Sequence, residues 1–194
     1  MDLATLIEQR RTIRVIGFDD GPFVRGAGQP VAVAGVVCAG TRFEGMLWGA
    51  VQPDGWDATD AISTLLLNSK FHAQVHLVLL DGISMAGFNI IDLSLLAARS
   101  QRPCIAVMRR LPNFTKIAHA VTRLPDPTER LEMMRRAGTI HQHPPFYFQV
   151  CGAEPEIAAI ALDRLTDRGH VPEALRIAHL VTAAVIKGES GKQA

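Results

Sequence analysis

The chain has 194 residues, of which 48% are hydrophobic and 20% are charged. This composition excludes a disordered or fibrous chain and fits one globular domain, which we expect to span residues 1–194. The net charge of +1 also argues against a protein that coats nucleic acid through charge alone.

The cysteines and the hydropathy pattern predict where the protein works. Cys38, Cys104 and Cys151 are far apart, and no CxxC pair or Cys/His cluster has the spacing of a structural zinc site. No apolar run is long enough to cross a bilayer, and the amino terminus lacks the basic-then-apolar plan of a signal peptide. We therefore expect reduced thiols, no membrane partner and a cytoplasmic location.

The first half of the chain predicts a short helix followed by three strands. Asp2 is a candidate helix cap, and Ala39-Gly40 is a candidate tight turn between the second and third strands, which should pair as a hairpin. The expected helix covers residues 3–9, and the expected strands cover residues 12–18, 31–38 and 41–52.

The second half predicts alternating strands and helices, and this alternation requires parallel pairing with helical crossovers. An antiparallel hairpin that leads into βαβ units is the order of a ribonuclease H-like α/β fold, a mixed sheet flanked by helices. The segment 138–145 is the stretch expected to be least ordered. The expected strands cover residues 75–80, 103–108 and 146–151, and the expected helices cover residues 57–70, 89–99, 114–122, 127–137, 155–166 and 172–187.

Two aspartates follow predicted strands. Asp19 comes after the first strand, and Asp81 comes after the strand at 75–80. Sites in sheets with parallel strands form beyond the carboxyl ends, so the two carboxylates converge if their strands are neighbours. Gathered carboxylates repel one another unless protons or a cation neutralise them, and Mg²⁺ prefers such oxygen ligands. The alternative is turn chemistry alone, since Asp81-Gly82 and Asp19-Asp20-Gly21-Pro22 are also common turn sequences.

A third carboxylate is expected from the segment at 54–60 (DGWDATD). Asp57 stands where the third strand ends and the next helix begins, and we interpret it as a metal ligand, with Asp54 as its substitute. The alternative for Asp57 is a helix cap, worth about 1 kcal/mol.

Histidines provide two further candidates. Arg176 and His179 are three residues apart on the last predicted helix and therefore share a face. A single helical histidine is more often structural, but the neighbouring arginine favours a functional role. His141 and His143 form an HxH pair, for which a surface loop is favoured over a metal site.

Several common motifs are absent from the sequence. Neither GxxxxGK[ST] nor GxGxxG occurs, so nucleoside triphosphate or dinucleotide binding has no support. GxSxG is also missing, and Ser84, near Asp81, has no evident base partner in the sequence.

Four segments together resemble the domain-of-unknown-function family 99 over nearly the whole chain. That family in turn is similar to endonuclease V, a ribonuclease H-like, Mg²⁺-dependent enzyme that cuts nucleic acid near deaminated purines. The resemblance implies Mg²⁺ or Mn²⁺ as cofactor and DNA or RNA as partner. The segments are residues 14–23 (RVIGFDDGPF), 54–60 (DGWDATD), 79–92 (LLDGISMAGFNIID) and 172–190 (PEALRIAHLVTAAVIKGES).

The resemblance also implies site residues. Asp19 matches the first-strand aspartate of endonuclease V, Asp81 matches the aspartate of its Asp-Gly pair, and Asp57 falls near its catalytic glutamate. The segment 172–179 is similar to its carboxyl-terminal motif, which makes His179 the fourth site residue. The implied catalytic residues are Asp19, Asp57, Asp81 and His179, the metal ligands are Asp19, Asp57 and Asp81, and the substrate-binding residues are Arg109, where endonuclease V has a lysine, and Arg176.

Two departures leave the substrate open. The Pro-Tyr-Ile-Pro-Gly wedge of endonuclease V has no counterpart at 46–53, and Gly82-Ile83-Ser84 replaces its Gly-His-Gly. The first hypothesis is a metal-dependent phosphodiesterase that acts on DNA or RNA. The alternatives are a binding module that keeps the cleft but cuts nothing, and a hydrolase of a small phosphorylated metabolite.

Overall fold

The structure is a computed structural model that describes residues 2–191, and its first element is the expected short helix, α1 (Leu3–Glu8). The Asp2 carboxylate caps it by accepting a hydrogen bond of 2.8 Å from the Thr5 backbone N–H. The remaining helices are α2 (Ala58–Leu67), α3 (Leu93–Ser100), α4 (Phe114–Val121), α5 (Pro127–Arg136), α6 (Pro155–Arg164) and α7 (Glu173–Lys187).

A seven-stranded mixed sheet forms the centre of the molecule, in the order β3-β2-β1-β4-β7-β9-β8. The hairpin β2–β3 precedes the parallel strands β1, β4 and β7, which confirms the predicted ribonuclease H-like order. The strands are β1 (Arg14–Asp20), β2 (Val31–Ala39), β3 (Arg42–Val51), β4 (Leu77–Asp81), β5 (Ser84–Met85), β6 (Asn89–Ile90), β7 (Cys104–Met108), β8 (His141–His143) and β9 (Phe146–Cys151).

The far edge of the sheet differs from the expected parallel pairing. Strand β9 runs antiparallel to β7, and β8 runs antiparallel to β9. Two helices, α4 and α5, separate β7 from β9, so the chain re-enters the sheet from the end at which β7 leaves it. The segment 138–145, expected to be the least ordered, therefore contains the edge strand β8.

Three predicted boundaries near the site were wrong. Strand β1 continues to Asp20 and β4 continues to Asp81, so these carboxylates lie on the strands and not in the turns after them. The helix expected from residue 89 begins at Leu93, because Asp92 caps it and residues 89–90 pair with β5 instead. Local periodicity could not show this small β5–β6 hairpin.

The core has one layer on each face of the sheet. Side chains alternate along a strand, so Val15 and Leu79 enter the layer that contains α7, while Ile16 and Leu80 enter the layer that contains α2 and α3. Within the described residues, no helix has the length and hydropathy needed to cross a bilayer.

Candidate active site

Two aspartates meet at the carboxyl ends of adjacent parallel strands. Phe18 in β1 stands beside Leu80 in β4, and the next residue of each strand is an aspartate, Asp19 and Asp81. Neighbouring strands lie about 4.8 Å apart. The register therefore brings together two carboxylates that are distant in the sequence, as the sequence predicted.

The two carboxylates also face the same side of the sheet. Alternation gives Asp19 the orientation of Val15, and it gives Asp81 the orientation of Leu79, so both point toward the layer of α7. Asp20, the next residue of β1, points to the opposite layer. The pair on the α7 side is thus fixed by strand geometry and not by a flexible turn.

Burial and mutual repulsion disfavour the ionised form of these carboxyls. Asp19 is buried, and burial, together with repulsion from Asp81 and then Asp20, raises its pKa to about 8. Burial likewise raises the pKa of Asp81 and that of Asp20. We call Asp19, Asp20 and Asp81 the acidic end of the parallel strands.

His179 lies against Asp19. Its Nδ1 is 3.0 Å from Asp19 Oδ2, and the side chain is about one third exposed. Gly17 makes this contact attainable, because a Cβ at this position would stand 2.9 Å from the backbone carbon of Ala174. Helix α7 therefore packs closely on β1, and its middle turn reaches Asp19.

Arg109 supplies a positive charge next to Asp81. It follows β7, and its Nη2 lies 3.7 Å from Asp81 Oδ2. The Arg109 side chain is 41% exposed, so it can also reach a ligand in solution. Of the predicted site residues, the structure thus brings Asp19, Asp81, His179 and Arg109 together.

Asp20 is a member of this group that the sequence reasoning treated only as part of a turn. Its Oδ2 accepts a hydrogen bond of 3.0 Å from the backbone N–H of Ala86, in the loop that follows Asp81. Asp54 holds the same loop, since its Oδ1 accepts a hydrogen bond of 2.8 Å from the N–H of Phe88. The doublet Asp19-Asp20 was the available signal. Because the strand was predicted to end at residue 18, the sequence did not show that the two side chains point to opposite faces of the sheet.

Asp57 is engaged elsewhere in the structure. Its carboxylate accepts hydrogen bonds from the backbone N–H of Gln52 and from the amide of Asn89. It occupies the cap position of α2 without capping it, because the buried Asn89 side chain accepts from the N–H of Ala58 instead. These contacts make Asp57 part of the bracing of the loop, and none of these hydrogen bonds is to a member of the acidic end.

Arg176 also points away from the acidic end. Its guanidinium pairs with both oxygens of Glu173, at 2.8 and 2.6 Å. Glu173 begins α7. Burial raises the pKa of the Cys38 thiol, and the nearby charge of Glu173 raises it further. Cys38 stands opposite Val15 near the start of β1. The face shared by Arg176 and His179 thus extends along the sheet and away from the acidic end.

The HxH pair is on strand β8 and not in a loop. The ring of His141 lies 5.4 Å from that of Phe148, and His143 Nε2 lies 2.9 Å from Asp163 Oδ2. Each histidine has its own neighbour, and the pair does not meet the acidic end.

The acidic end fits a hard divalent cation better than it fits zinc. Within residues 2–191, no three His, Cys, Asp or Glu side chains form a ready ligand set. Mg²⁺ needs less from a protein, because it usually takes one or two carboxylates and completes its shell with water and phosphate oxygens. Asp19 and Asp81 offer that number of carboxylates, and their repulsion is what such an ion would relieve.

A cavity of about 550 Å³ opens next to the acidic end. It begins at Gly82, directly after Asp81, and mostly apolar side chains from α4, α5 and the loop after β4 line it. Two large apolar side chains are exposed in this region, Leu111 at 60% and Phe114 at 58%. The site thus combines charged groups with an apolar recess.

The sequence matches known proteins over almost its full length. Residues 11–186 match the model of the family described as endonuclease dU. A UPF0215 protein of Methanopyrus kandleri is 35% identical over 195 aligned residues, which cover 97% of this chain and 99% of that protein.

Solved structures show the same fold. A protein of unknown function from Archaeoglobus fulgidus has a TM-score of 0.84 at 32% identity, over 89% of this chain and 98% of that one. Endonuclease V of Ciona intestinalis, in complex with a 24mer DNA containing an inosine, has a TM-score of 0.60 at 15% identity, over 92% of this chain and 88% of that one. At that identity the likeness concerns the fold, and it supports the ribonuclease H-like assignment.

Proposed function

The chain belongs to the endonuclease dU family, and from that premise we propose that it is a divalent-metal-dependent nuclease that hydrolyses phosphodiester bonds in DNA or RNA. The observation that carries the proposal is the pair Asp19 and Asp81, which meet at the ends of neighbouring strands with too little positive charge around them. The endonuclease V of Ciona intestinalis, which shares the fold, binds DNA that contains an inosine, and this supports a nucleic-acid partner.

The two carboxylates are the proposed metal ligands. Asp19 and Asp81 would hold Mg²⁺ or Mn²⁺, and Asp20 adds negative charge from the other side of β1. Such an ion supplies Lewis-acid stabilisation of the charge that develops on phosphate and makes water a better nucleophile. Asp57, whose carboxylate holds Gln52 and Asn89, is left out of this proposed ligand set.

His179 has the geometry of a general base. When Asp19 is ionised, His179 Nδ1–H donates to its carboxylate, and the lone pair stays on Nε2. The carboxylate orients the ring, and the partly exposed Nε2 can accept a proton from water. A general base of this kind typically accelerates a reaction about 10²–10⁴-fold.

Arg109 is the proposed phosphate contact. Its guanidinium already lies beside Asp81, and arginine can donate two parallel hydrogen bonds to a phosphate. Arg176 is not assigned this role, since both of its hydrogen bonds go to Glu173.

The neighbouring cavity supports action on a nucleobase-containing substrate. Its volume of about 550 Å³ is in the range of small-molecule pockets, and its apolar lining suits the faces of an unstacked base. The family description, endonuclease dU, makes uracil, carried in DNA as deoxyuridine, the first base to test.

The test is cleavage of labelled oligonucleotides with Mn²⁺ or Mg²⁺. The substrates are otherwise identical single and double strands that carry deoxyuridine, deoxyinosine or neither. We expect cleavage that requires the metal and that Asp19→Asn and Asp81→Asn abolish. Asp60→Asn is the matched control, because Asp60 is an exposed carboxylate paired with Arg99 on another face. Cleavage that survives both site variants would refute the assignment.

A binding module without catalysis is the second candidate. The lack of a counterpart at residues 46–53 to the Pro-Tyr-Ile-Pro-Gly wedge of endonuclease V motivates it. Tight, salt-sensitive nucleic-acid binding with no turnover across Mg²⁺, Mn²⁺, Co²⁺ and Ca²⁺ would support this candidate instead.

A further inference from the structure

The opposite ends of the parallel strands carry positive charge. Two adjoining concavities, of about 460 and 420 Å³, lie at the amino ends of the strands and share the segment Arg10-Arg11-Thr12. Among the described residues, their linings contain no aspartate or glutamate, in a chain with 19 acidic residues and 20 basic ones. We call their charged and titratable lining residues the basic end: Arg10, Arg11, Arg14, Arg164 and His76.

Neutral acceptors hold two arginines at or beside this end. Arg164 donates to the backbone carbonyl of Ile7, and the neighbouring Arg102 donates to that of Val75, and neither acceptor carries a net charge. Arg14 does pair with a carboxylate, that of Glu44, at 2.9 Å.

The environment of His76 reports the same positive potential. Burial lowers the pKa of His76, and the charges of Arg14, Arg102 and Arg11 lower it further. The ring is held against β1, since its Nδ1 accepts a hydrogen bond of 3.0 Å from the Arg14 backbone N–H.

We propose that the basic end binds the phosphodiester backbone of a nucleic-acid strand, at a site separate from the acidic end. The described linings hold arginines and no Phe, Tyr or Trp ring, so they suit phosphates and not the stacking of bases. Binding there is independent of base sequence.

The two sites are too far apart to hold the same phosphates. Asp20 lies six residues after Arg14 in β1, which corresponds to about 20 Å along a strand. A stiff duplex seated at the acidic end does not bend around the molecule over that length. A flexible single strand that continues from the acidic end, or a second molecule, is the occupant that fits.

Negative charge limits the basic end on one side. A larger cavity of about 700 Å³ shares His76, but Asp2 and Glu154 are part of its lining. Their carboxylates bound the phosphate-binding surface on that side.

The proposal is tested by binding without metal. In the presence of a chelator and at pH 8.5, where Asp19 is largely ionised, the carboxylates of the acidic end repel phosphate, so the affinity reports the basic end. The probe is a fluorescently labelled single strand of about 30 thymidines, titrated at several salt concentrations by anisotropy. We expect Arg10→Glu with Arg11→Glu to weaken binding at least about tenfold and to reduce the salt dependence.

The control has the same change of charge at another place. Lys116→Glu with Arg123→Glu alters two exposed cations on and just after α4, and it should leave metal-free binding unchanged. Circular dichroism melts verify that both double variants fold. Equal losses for the two double variants, or none for Arg10→Glu with Arg11→Glu, would overturn the proposal. So would displacement of the thymidine strand by poly-glutamate at equal charge, because that surface would fit an acidic protein.

A second measurement separates this proposal from the proposed nuclease activity. If cleavage occurs, the Arg10→Glu, Arg11→Glu variant should cut strands of about 4 nucleotides normally and strands of about 40 nucleotides with a raised KM, since only the longer strands span the distance between the two ends. If no cleavage occurs, the metal-free binding result stands by itself. An equal loss on both lengths contradicts a separate site.

Discussion

The acidic end and the basic end belong to the same three strands, yet they are built differently. Asp19 is buried, and its partner His179 is held in place by the packing of α7 on β1. At the other end, Arg10 and Arg11 are exposed on a short connection between α1 and β1. The difference indicates a fixed geometry where bonds would be made and broken, and a charged surface where a polyanion need only be held.

A buried arginine, which we call the brace, also holds the loops beside the acidic end in place. Arg130 is 2% exposed and donates to the carbonyls of Asp54, Gly55, Phe88 and Pro125. One buried guanidinium thus joins α5 to the two loops beside the carboxylates. Its charge is also stabilised by the ring of Trp56, 4.3 Å away.

The largest expected effect comes from removing one charge at the acidic end, and it is compared with the removal of one charge at the basic end. Asp81→Asn removes a proposed metal ligand, and we expect cleavage of a short oligonucleotide to fall at least about 1,000-fold. Arg14→Gln at the other end of the parallel strands should change the same rate less than about twofold. The measurement is kcat on strands of about 4 nucleotides, which are too short to reach both ends. Similar losses in the two variants would break the distinction between the ends.

Removing the brace should affect stability strongly. Arg130→Met leaves several buried carbonyls without a donor, and we expect the free energy of unfolding to fall by about 3 kcal/mol. Chemical denaturation measures it. The control is Arg123→Met, an exposed arginine after α4, with an expected change below about 0.5 kcal/mol. A loss of similar size in the control would show that Arg130 is not the brace.

His179 should contribute to rate and not to stability. His179→Ala removes the proposed base, and a fall in kcat of about 100-fold is expected with little change in KM. His170→Ala, at an exposed position in the loop before α7, is the control. An unchanged kcat would exclude His179 as the base.

The smallest expected effect is on stability against pH. The folded state raises the pKa of Asp19 from 3.8 to about 8, so the native protein binds a proton that the unfolded chain releases between these values. The metal-free protein should therefore lose stability as the pH rises from about 4 to 8. Asp19→Asn removes this loss and should raise the Tm by roughly 3 °C or more at pH 8.5, with a smaller change at pH 5. Mg²⁺ should reduce the difference, and a variant less stable at pH 8.5 would show that burial and repulsion do not destabilise the ionised Asp19.

Much of the fold was predictable because the hydrophobic patterns are strong. Strand β9 was predicted to the residue, and the hairpin turn at Gly40 was expected and has a φ of +61°. The pairing direction of β9 was not predictable, since it depends on how α4 and α5 pack beyond the strand ends. Local periodicity does not contain that information.

The site was predictable where strand position alone determines it. Asp19 and Asp81 needed only the rule that parallel strands end at the same edge of a sheet. Asp57 and Arg176 depended on the neighbours that tertiary structure provides, and Asn89 and Glu173 could not be paired with them from sequence. Asp20 required the true end of β1, two residues beyond the predicted one.

The most direct test of the central claim is the location of a divalent ion. Crystals grown with Mn²⁺ and measured at the manganese absorption edge give the ion position without reference to activity. We expect an anomalous peak in contact with the carboxylates of both Asp19 and Asp81, and no peak there in Asp81→Asn crystals. An ion bound instead at His141 and His143, or carboxylates of Asp19 and Asp81 that stay free at saturating Mn²⁺, would contradict a metal site at the acidic end.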